Sequence, residues 1–316
     1  MLIKSGELTS MELVIGTRGS PLALWQANWV KKRVEEKNHD VSVVLKIIKT
    51  QGDKITDVPL AKLGGKGLFV KEIEKELMDG NIHLAVHSMK DVPSELPADL
   101  EISTICKREN PCDAFISRDA KSIFDLPKKA KLATSSLRRQ AQVLSMRPDV
   151  EIVPVRGNVD TRLRKFKEQQ LDAIILASAG MIRLNLQDMI TTHLNPNDFV
   201  PAVGQGAMGI ETRKEDDKTL DMIDFLDNHE THVCVDAERT FLAQLNGGCQ
   251  VPIAAYATTS GGTVVLNGLV ASLNGSVLFR LSEETPIAQN KMLGESLAEK
   301  LLSMGADKVL SEFYGG

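Results

Sequence analysis

Residues 131–177 read KLATSSLRRQAQVLSMRPDVEIVPVRGNVDTRLRKFKEQQLDAIILA, and this stretch decides the fold class. Lys131 to Ala133 is a short strand-like run, after which Thr134-Ser135-Ser136 supplies a helix cap and Leu137 to about Met146 carries helical spacing. Glu151 to Val155 is a second strand, and Asp160-Thr161 opens a second helix. Leu171 to Ala177 is an apolar run of the kind buried in a sheet, leading into a helical stretch near Met181 to Leu184. Strand, helix, strand, helix, strand is α/β grammar.

The same grammar runs upstream. Glu12 to Thr17 is β-rich, and Ser20-Pro21 pairs an N-cap with a proline at the first helical position before a helix from Leu22 to about Lys37. Val41 to Thr50 reads as a strand, and Gly64-Gly65-Lys66-Gly67 precedes a helical run from Leu68 to Met78 that Asp79-Gly80 ends. Ile82 to His87 and Ala114 to Ser117 are further strands. Two α/β units are implied, dividing near residue 107. The last third differs: a helical stretch from Glu230 to Leu245 is followed by Asn246-Gly247-Gly248-Cys249 and three β runs, Val251 to Thr258, Thr263 to Ala271 and Ser276 to Ser282. Gly261-Gly262 and Asn274-Gly275 between them are hairpin signals. With a final helical pattern over Ile287 to Met304, this third unit is a small antiparallel sheet with helices against it.

A chain of 316 residues with 42% apolar and 25% charged residues has the composition of a globular protein of two or three domains. No apolar run approaches the roughly 20 residues of a membrane span, and Met1 to Ser10 show no secretory or transit pattern, so a cytoplasmic location is expected. Cys106, Cys112, Cys234 and Cys249 are too few and too scattered for a disulfide framework. The net charge is only −4, yet residues 131–183 hold ten Lys or Arg against five acids, while 211–236 hold nine acids against three bases. The basic segment is local, which points to an anionic ligand. Nucleic acid is disfavoured, because aromatic residues are only 4% of the chain and leave little for base stacking.

The polar residues fall where such a ligand would bind, beyond the carboxyl ends of strands and at helix starts. Arg18 and Ser20 follow the first strand; Lys90 and Asp91 follow Ile82 to His87; Ser135, Ser136, Arg138 and Arg139 follow Ala133. Arg156 and Arg162 follow Val155, and Arg183 follows the Ile174 strand. Arginine forks and helix N-termini bind carboxylate or phosphate, so the set suits a ligand with several anionic groups. Asp91, a carboxylate among bases, suits stabilising a cation or passing protons, or is simply a turn residue before Val92-Pro93. Lys62 and Lys66 flank a glycine pair and form either an anion-contacting mobile loop or an ordinary one; the P-loop pattern is absent. Cys249, after two glycines, is placed for covalent chemistry or is incidental. His83 and His87 share a zinc-helix spacing, but they lie in a strand without the following Glu, so no metal is expected there. His229, His232 and Cys234, among acidic neighbours, read as a solvated helix face.

At these residues the chain resembles the porphobilinogen deaminase (hydroxymethylbilane synthase) family. The matching blocks are Gly64-Gly65-Lys66-Gly67-Leu68-Phe69, His87-Ser88-Met89-Lys90-Asp91-Val92-Pro93, Thr134-Ser135-Ser136-Leu137-Arg138-Arg139, Arg156-Gly157-Asn158, Pro201-Ala202-Val203-Gly204-Gln205-Gly206 and Gly247-Gly248-Cys249-Gln250-Val251-Pro252. The resemblance implies two α/β domains like type II periplasmic binding proteins, 11–106 with 199–221 and 107–198, and an α+β domain, 222–316, carrying the cofactor cysteine. It implies that Cys249 holds a dipyrromethane cofactor through a thioether, and that four porphobilinogen molecules are deaminated and added head to tail before hydrolysis to hydroxymethylbilane. Asp91 would be the catalytic carboxylate. Lys90, Ser136, Arg138, Arg139 and Arg162 would hold cofactor carboxylates, and Arg18, Ser20, Gln26, Arg156 and Arg183 would bind substrate or the growing chain. Lys62 and Lys66 would lie on a mobile loop. A monomer is expected, with transient contact to the next enzyme of the pathway. Cys112 stands where relatives commonly have a basic residue, and Met1 to Ser10 precede the match. The competing expectation is an anion-binding solute receptor of the same two-lobed fold; Cys249 and the third unit weigh against it.

Overall fold

The computed structural model describes residues 11–54, 70–248 and 250–314. The first sheet opens with β1 (Met11–Thr17), which buries Leu13 and Ile15, and α1 (Pro21–Lys37) follows. Ser20 starts that helix: its Oγ accepts the Ala23 N–H at 3.3 Å, and Pro21 occupies a position that needs no N–H. Next come β2 (Val41–Ile47), the short α2 (Gln51–Lys54), α3 (Lys71–Met78), β3 (Leu84–Ser88) and β4 (Leu100–Ile105). β1 pairs in parallel with both β2 and β3. One face of the sheet packs on α1 through Leu13, Ile15, Val30 and Val86, and the other packs on α3 through Ile73, Leu77 and Ala85.

The second sheet contains β5 (Asp113–Ser117), β6 (Lys131–Ala133), β7 (Glu151–Val153), β8 (Ala173–Ala177) and β9 (Thr192–Leu194). Between its strands lie α4 (Leu137–Met146), α5 (Val159–Glu168) and α6 (Ser178–Arg183). Ser136 and Asn158 cap α4 and α5, their side chains accepting the backbone N–H groups of Arg139 and Thr161. β10 (Met208–Arg213) then returns to the first sheet and inserts antiparallel between β3 and β4. The sheets share one plan, β2-β1-β3-β10-β4 and β7-β6-β8-β5-β9, each with an antiparallel strand one place in from an edge. That strand arrives in each case along a segment crossing from the other sheet, 106–112 into β5 and 195–207 into β10. Strand periodicity reveals neither β4 nor β10, because the place of β10 depends on partners more than 100 residues away.

After α7 (Asp217–Ile223), α8 (His229–Gln244) leads to an antiparallel meander of β11 (Ile253–Ser260), β12 (Thr263–Ala271) and β13 (Leu278–Pro286). α8 and α9 (Asn290–Leu301) pack with this sheet and bury Phe241, Leu266 and Leu297. The helical pattern expected to end at Met304 breaks at Gly305, whose φ of 108° no ordinary side chain favours, and α10 (Asp307–Tyr314) follows as a separate helix. Of the three residues expected on a solvated face of α8, His229 is exposed and His232 is half-buried, its Nδ1 bonding Asp227 at 2.7 Å, but Cys234 is buried in the core.

The crossing segments run side by side, with the Glu109 N–H donating to the Gly206 carbonyl at 3.1 Å. Gly206 is required there, since its φ is +88° and a Cβ would stand 2.4 Å from the Glu109 carbonyl oxygen. The fully buried Glu238 of α8 clamps both segments. Its oxygens accept both Nη groups of Arg108, at 2.8 and 3.1 Å, and also the N–H groups of Gly204 at 2.7 Å and Ala257 at 2.8 Å. The Arg108 guanidinium lies 5.6 Å from the Tyr256 ring centroid. The third unit is thereby seated on both crossings through one carboxylate.

Glu238→Ala strands a buried guanidinium and two N–H groups, so the expected cost is about 3–5 kcal/mol in urea unfolding. A loss no larger than the ~0.5 kcal/mol of an ordinary surface substitution would refute the clamp.

Candidate active site

The carboxyl ends of the parallel strands, where helices begin and their N–H groups are unpaired, meet at a cavity of about 80 Å³ between the two sheets. It is lined from the first-sheet side by Leu22, Ser88, Lys90, Gly206 and Ala207, and from the second by residues that include Arg139, Arg162, Gly180 and Arg183. Four cations line it and no carboxylate does, among the described residues. A larger cavity of about 410 Å³, between the end of α8 and the C-terminal helices, has no base in its lining.

Lys90 and Asp91 sit on a single 3-10 turn, Met89–Asp91, directly after β3. Met89 is fully buried and its N–H donates to the Ala207 carbonyl at 3.0 Å, so the turn is pinned from below. Asp91 is exposed and Lys90 is half-buried. Burial lowers the Lys90 pKa; Asp91 opposes that shift and Arg139 adds to it.

Asp113, the first residue of β5, is fully buried and organises the arginines. It accepts Arg138 Nη1 at 2.7 Å, Arg138 Nη2 at 3.2 Å, Arg139 Nε at 2.9 Å, Arg139 Nη2 at 2.6 Å and Gln205 Nε2 at 3.1 Å. Burial alone would push this carboxyl up, but the two guanidiniums outweigh it and hold it well below the usual carboxylate range. Burial lowers the pKa of Arg139, partly offset by Asp113. Burial, followed by the charges of Arg139 and Arg156, pushes Arg162 down to about 10 against the pull of Asp91. Burial also lowers Arg183. The cavity thus holds more positive charge than its own carboxylates balance, which is the electrostatic condition for binding an anion.

Of the residues singled out in the sequence, Lys90, Arg139, Arg162 and Arg183 meet at this cavity. Gln26 is buried and donates through Nε2 to Ser88 Oγ, at 2.9 Å, behind the lining. Ser20 and Ser136 cap helices. Arg18 and Arg156 are half-buried on the loops after β1 and β7. Arg138 is not in the lining; besides Asp113 it bonds the Val200 carbonyl at 2.8 Å. Lys62, Lys66 and Cys249 lie outside the described residues. Asp113, Gln205 and Ser88 were missed in the sequence; the one available signal was an Asp at the head of an apolar strand, where a charge needs a partner.

Two sequence models of one family match the chain. Residues 13–221 match "Porphobilinogen deaminase, dipyromethane cofactor binding domain", and residues 232–303 match "Porphobilinogen deaminase, C-terminal domain". The chain belongs to the porphobilinogen deaminase family. A porphobilinogen deaminase of Syntrophotalea carbinolica is 53% identical over 96% of both chains. That of Geobacter metallireducens is 51% identical over 96% of this chain and 95% of its own. Among solved structures, the periplasmic aliphatic sulphonate binding protein of Escherichia coli aligns with a TM-score of 0.41 at 15% identity, over 74% of this chain and 70% of that one. In this member of the porphobilinogen deaminase family, the cations stand on both sides of the cavity and on four separate elements or turns.

Asp113→Asn is expected to lower stability at pH 7 by about 3–5 kcal/mol, because a paired buried carboxylate is lost. The native pKa of Asp113 is depressed, so its contribution is complete above the unfolded value of about 3.9 and shrinks as pH falls below it. The gap between wild type and variant in urea unfolding should therefore narrow from pH 6 toward pH 3. A gap that stays constant across that range would show that the ionised Asp113 is not its source.

Proposed function

We propose that the chain joins four porphobilinogen molecules head to tail with loss of ammonia, on a dipyrromethane primer, and releases hydroxymethylbilane by hydrolysis. The observation that carries this reading is the convergence of Lys90, Arg139, Arg162 and Arg183 on one cavity with no carboxylate in its lining. Pyrroles bearing acetate and propionate groups are the polyanion such a donor set fits, so the residues present suit the cofactor that the family model names. When bound, that cofactor supplies the pyrrole carbon to which the first substrate unit is joined.

Lys90, Ser136, Arg139 and Arg162 hold cofactor carboxylates, Lys90 as a point charge and the arginines as forks. Arg138 acts through Asp113, fixing the carboxylate that orients Arg139. Arg183 binds the incoming substrate, together with Arg18, Ser20 and Arg156. Gln26 holds Ser88 at the cavity wall. Asp91, exposed on its pinned turn, meets the positive charge that develops on the pyrrole nitrogen as ammonia leaves, and its carboxylate takes up and returns the proton. Cys249 Sγ carries the cofactor as a thioether, and Lys62 and Lys66 contact anionic groups of the growing chain. The domains are 11–106 with 199–221, 107–198 and 222–316, and the enzyme works as a cytoplasmic monomer that hands its product to the next enzyme.

A cavity of about 80 Å³ is small beside the roughly 300 Å³ at which ligand pockets begin. Elongation by whole pyrrole units therefore requires the sheets to part about the two crossing segments.

Intact mass of wild type and Cys249→Ser, both from cells that make porphobilinogen, tests the reading. Wild type should exceed its chain mass by two linked pyrrole units, and the variant should not. Equal increments in both would remove Cys249 as the attachment point; no increment in wild type, even after porphobilinogen is added, would favour a binding protein without chemistry. Asp91→Asn is expected to keep the cofactor and lose about 10²- to 10⁴-fold in kcat, measured as porphobilinogen consumed. A smaller loss would assign the proton transfer elsewhere.

A further inference from the structure

Arg183 ends α6 on the second-sheet side, yet its contacts lie on the other side of the cavity. Its Nη2 donates to the Gly206 carbonyl at 2.8 Å, on the segment running into β10. Its guanidinium carbon lies 5.7 Å from the ring centroid of Trp25, on α1 of the first-sheet unit. The other lining arginines bond within their own half: Arg139 to Asp113 and the Ile175 carbonyl, Arg162 to the Gly157 carbonyl. α6 packs against α1 here, with Gly180 of α6 facing Leu22 of α1.

A guanidinium has two recognition surfaces. Its flat face stacks on an aromatic ring, and its edge carries the N–H fork that pairs with a carboxylate. In Arg183 the guanidinium lies over the Trp25 ring and Gly206 takes one donor, while the side chain still lines the cavity. Stacking and carboxylate binding are therefore compatible, and the ring removes rotational freedom that the ligand would otherwise have to freeze. Trp25 is half-buried beside Trp29 against the first core.

We propose that Trp25 is a positioning residue, whose ring holds the Arg183 guanidinium through a cation–π contact so that its remaining N–H donors are presented to a carboxylate of the incoming porphobilinogen. The proposal rests on the reading above that Arg183 binds substrate.

Steady-state kinetics of the cofactor-loaded enzyme test it. Trp25→Leu is expected to raise KM for porphobilinogen about 5- to 30-fold, the size of a cation–π contact, with kcat changed less than about twofold. Trp25→Phe should recover most of that loss, since a benzene face also holds a cation. Adding Trp25→Leu to Arg183→Ala should raise KM no further than Arg183→Ala alone. Equal losses in the Leu and Phe variants, or full additivity with Arg183→Ala, would overturn the proposal and leave the substrate role of Arg183 standing. An unchanged KM in Arg183→Ala would instead sink that role, and the proposal with it. A second readout needs no turnover. The chain has two tryptophans, so in a Trp29→Phe background emission comes from Trp25 alone. Arg183→Ala in that background should shift the emission with no substrate present, and an identical spectrum would overturn the contact.

Discussion

One buried carboxylate, Asp113, sets the geometry on which the cavity depends. It stands where the first crossing segment becomes β5, and it accepts hydrogen bonds from two consecutive arginines of α4 and from Gln205 on the second crossing. A lone carboxylate at that depth would be neutral or absent, because desolvation costs it several kcal/mol. Two guanidiniums make the burial tolerable and also leave the cluster with a surplus positive charge. Arg138 spends its donors on Asp113 and Val200, whereas Arg139 still borders the cavity. The pair is therefore asymmetric: one arginine is turned wholly into the fold and the other borders the cavity, although their sequence positions are adjacent and their chemistry is identical.

Glu238 does the corresponding work on the outer side. It gathers Arg108, Gly204 and Ala257, which belong to the first crossing, the second crossing and β11. The third unit also touches both sheets' units: Arg239 donates to the carbonyls of Val92 and Pro93, just past the Asp91 turn, and Gln140 of α4 donates to Leu273 in the β12–β13 hairpin. Gly275 in that hairpin is packed so closely that a Cβ would meet the Ser145 nitrogen at 2.3 Å. Rigidity is concentrated at the crossings and charge at the cavity. The two carboxylates thus divide the work, Glu238 holding the units together and Asp113 ordering the arginines that border the cavity.

Local signals were legible where a cap or a turn residue made them so. Ser20-Pro21, Ser136 and Asp160-Thr161 mark helix starts that the structure places within a residue or two, and Gly261-Gly262 marks a true hairpin. The cations at strand ends were legible for the same reason, because each follows a strand by a short, fixed step. What failed was anything set by distant partners. Glu211 was counted only as one of the acids of 211–236 and Glu238 was not singled out, yet both are buried, Glu211 against His87 at 2.8 Å. In α8 the apolar stripe Cys234, Ala237, Phe241 already contains position 238 by helical spacing. A carboxylate on that stripe announces a buried cation somewhere, but only the fold says that it is Arg108.

The choice of arginine over lysine at three of the four lining positions follows from the same desolvation. Burial and neighbouring cations push Arg162 down to about 10, where the guanidinium is still charged at neutral pH. A lysine subject to an equal push would start from about 10.4 and be partly neutral near pH 8, losing the charge the ligand needs. Lys90 occupies the one lining position flanked in sequence by a carboxylate, and the charges of Asp91 and Asp113 oppose the burial that lowers it. The same two carboxylates also act on the arginines, Asp113 on Arg139 and Asp91 on Arg162, so a few anions outside the lining support all three cations.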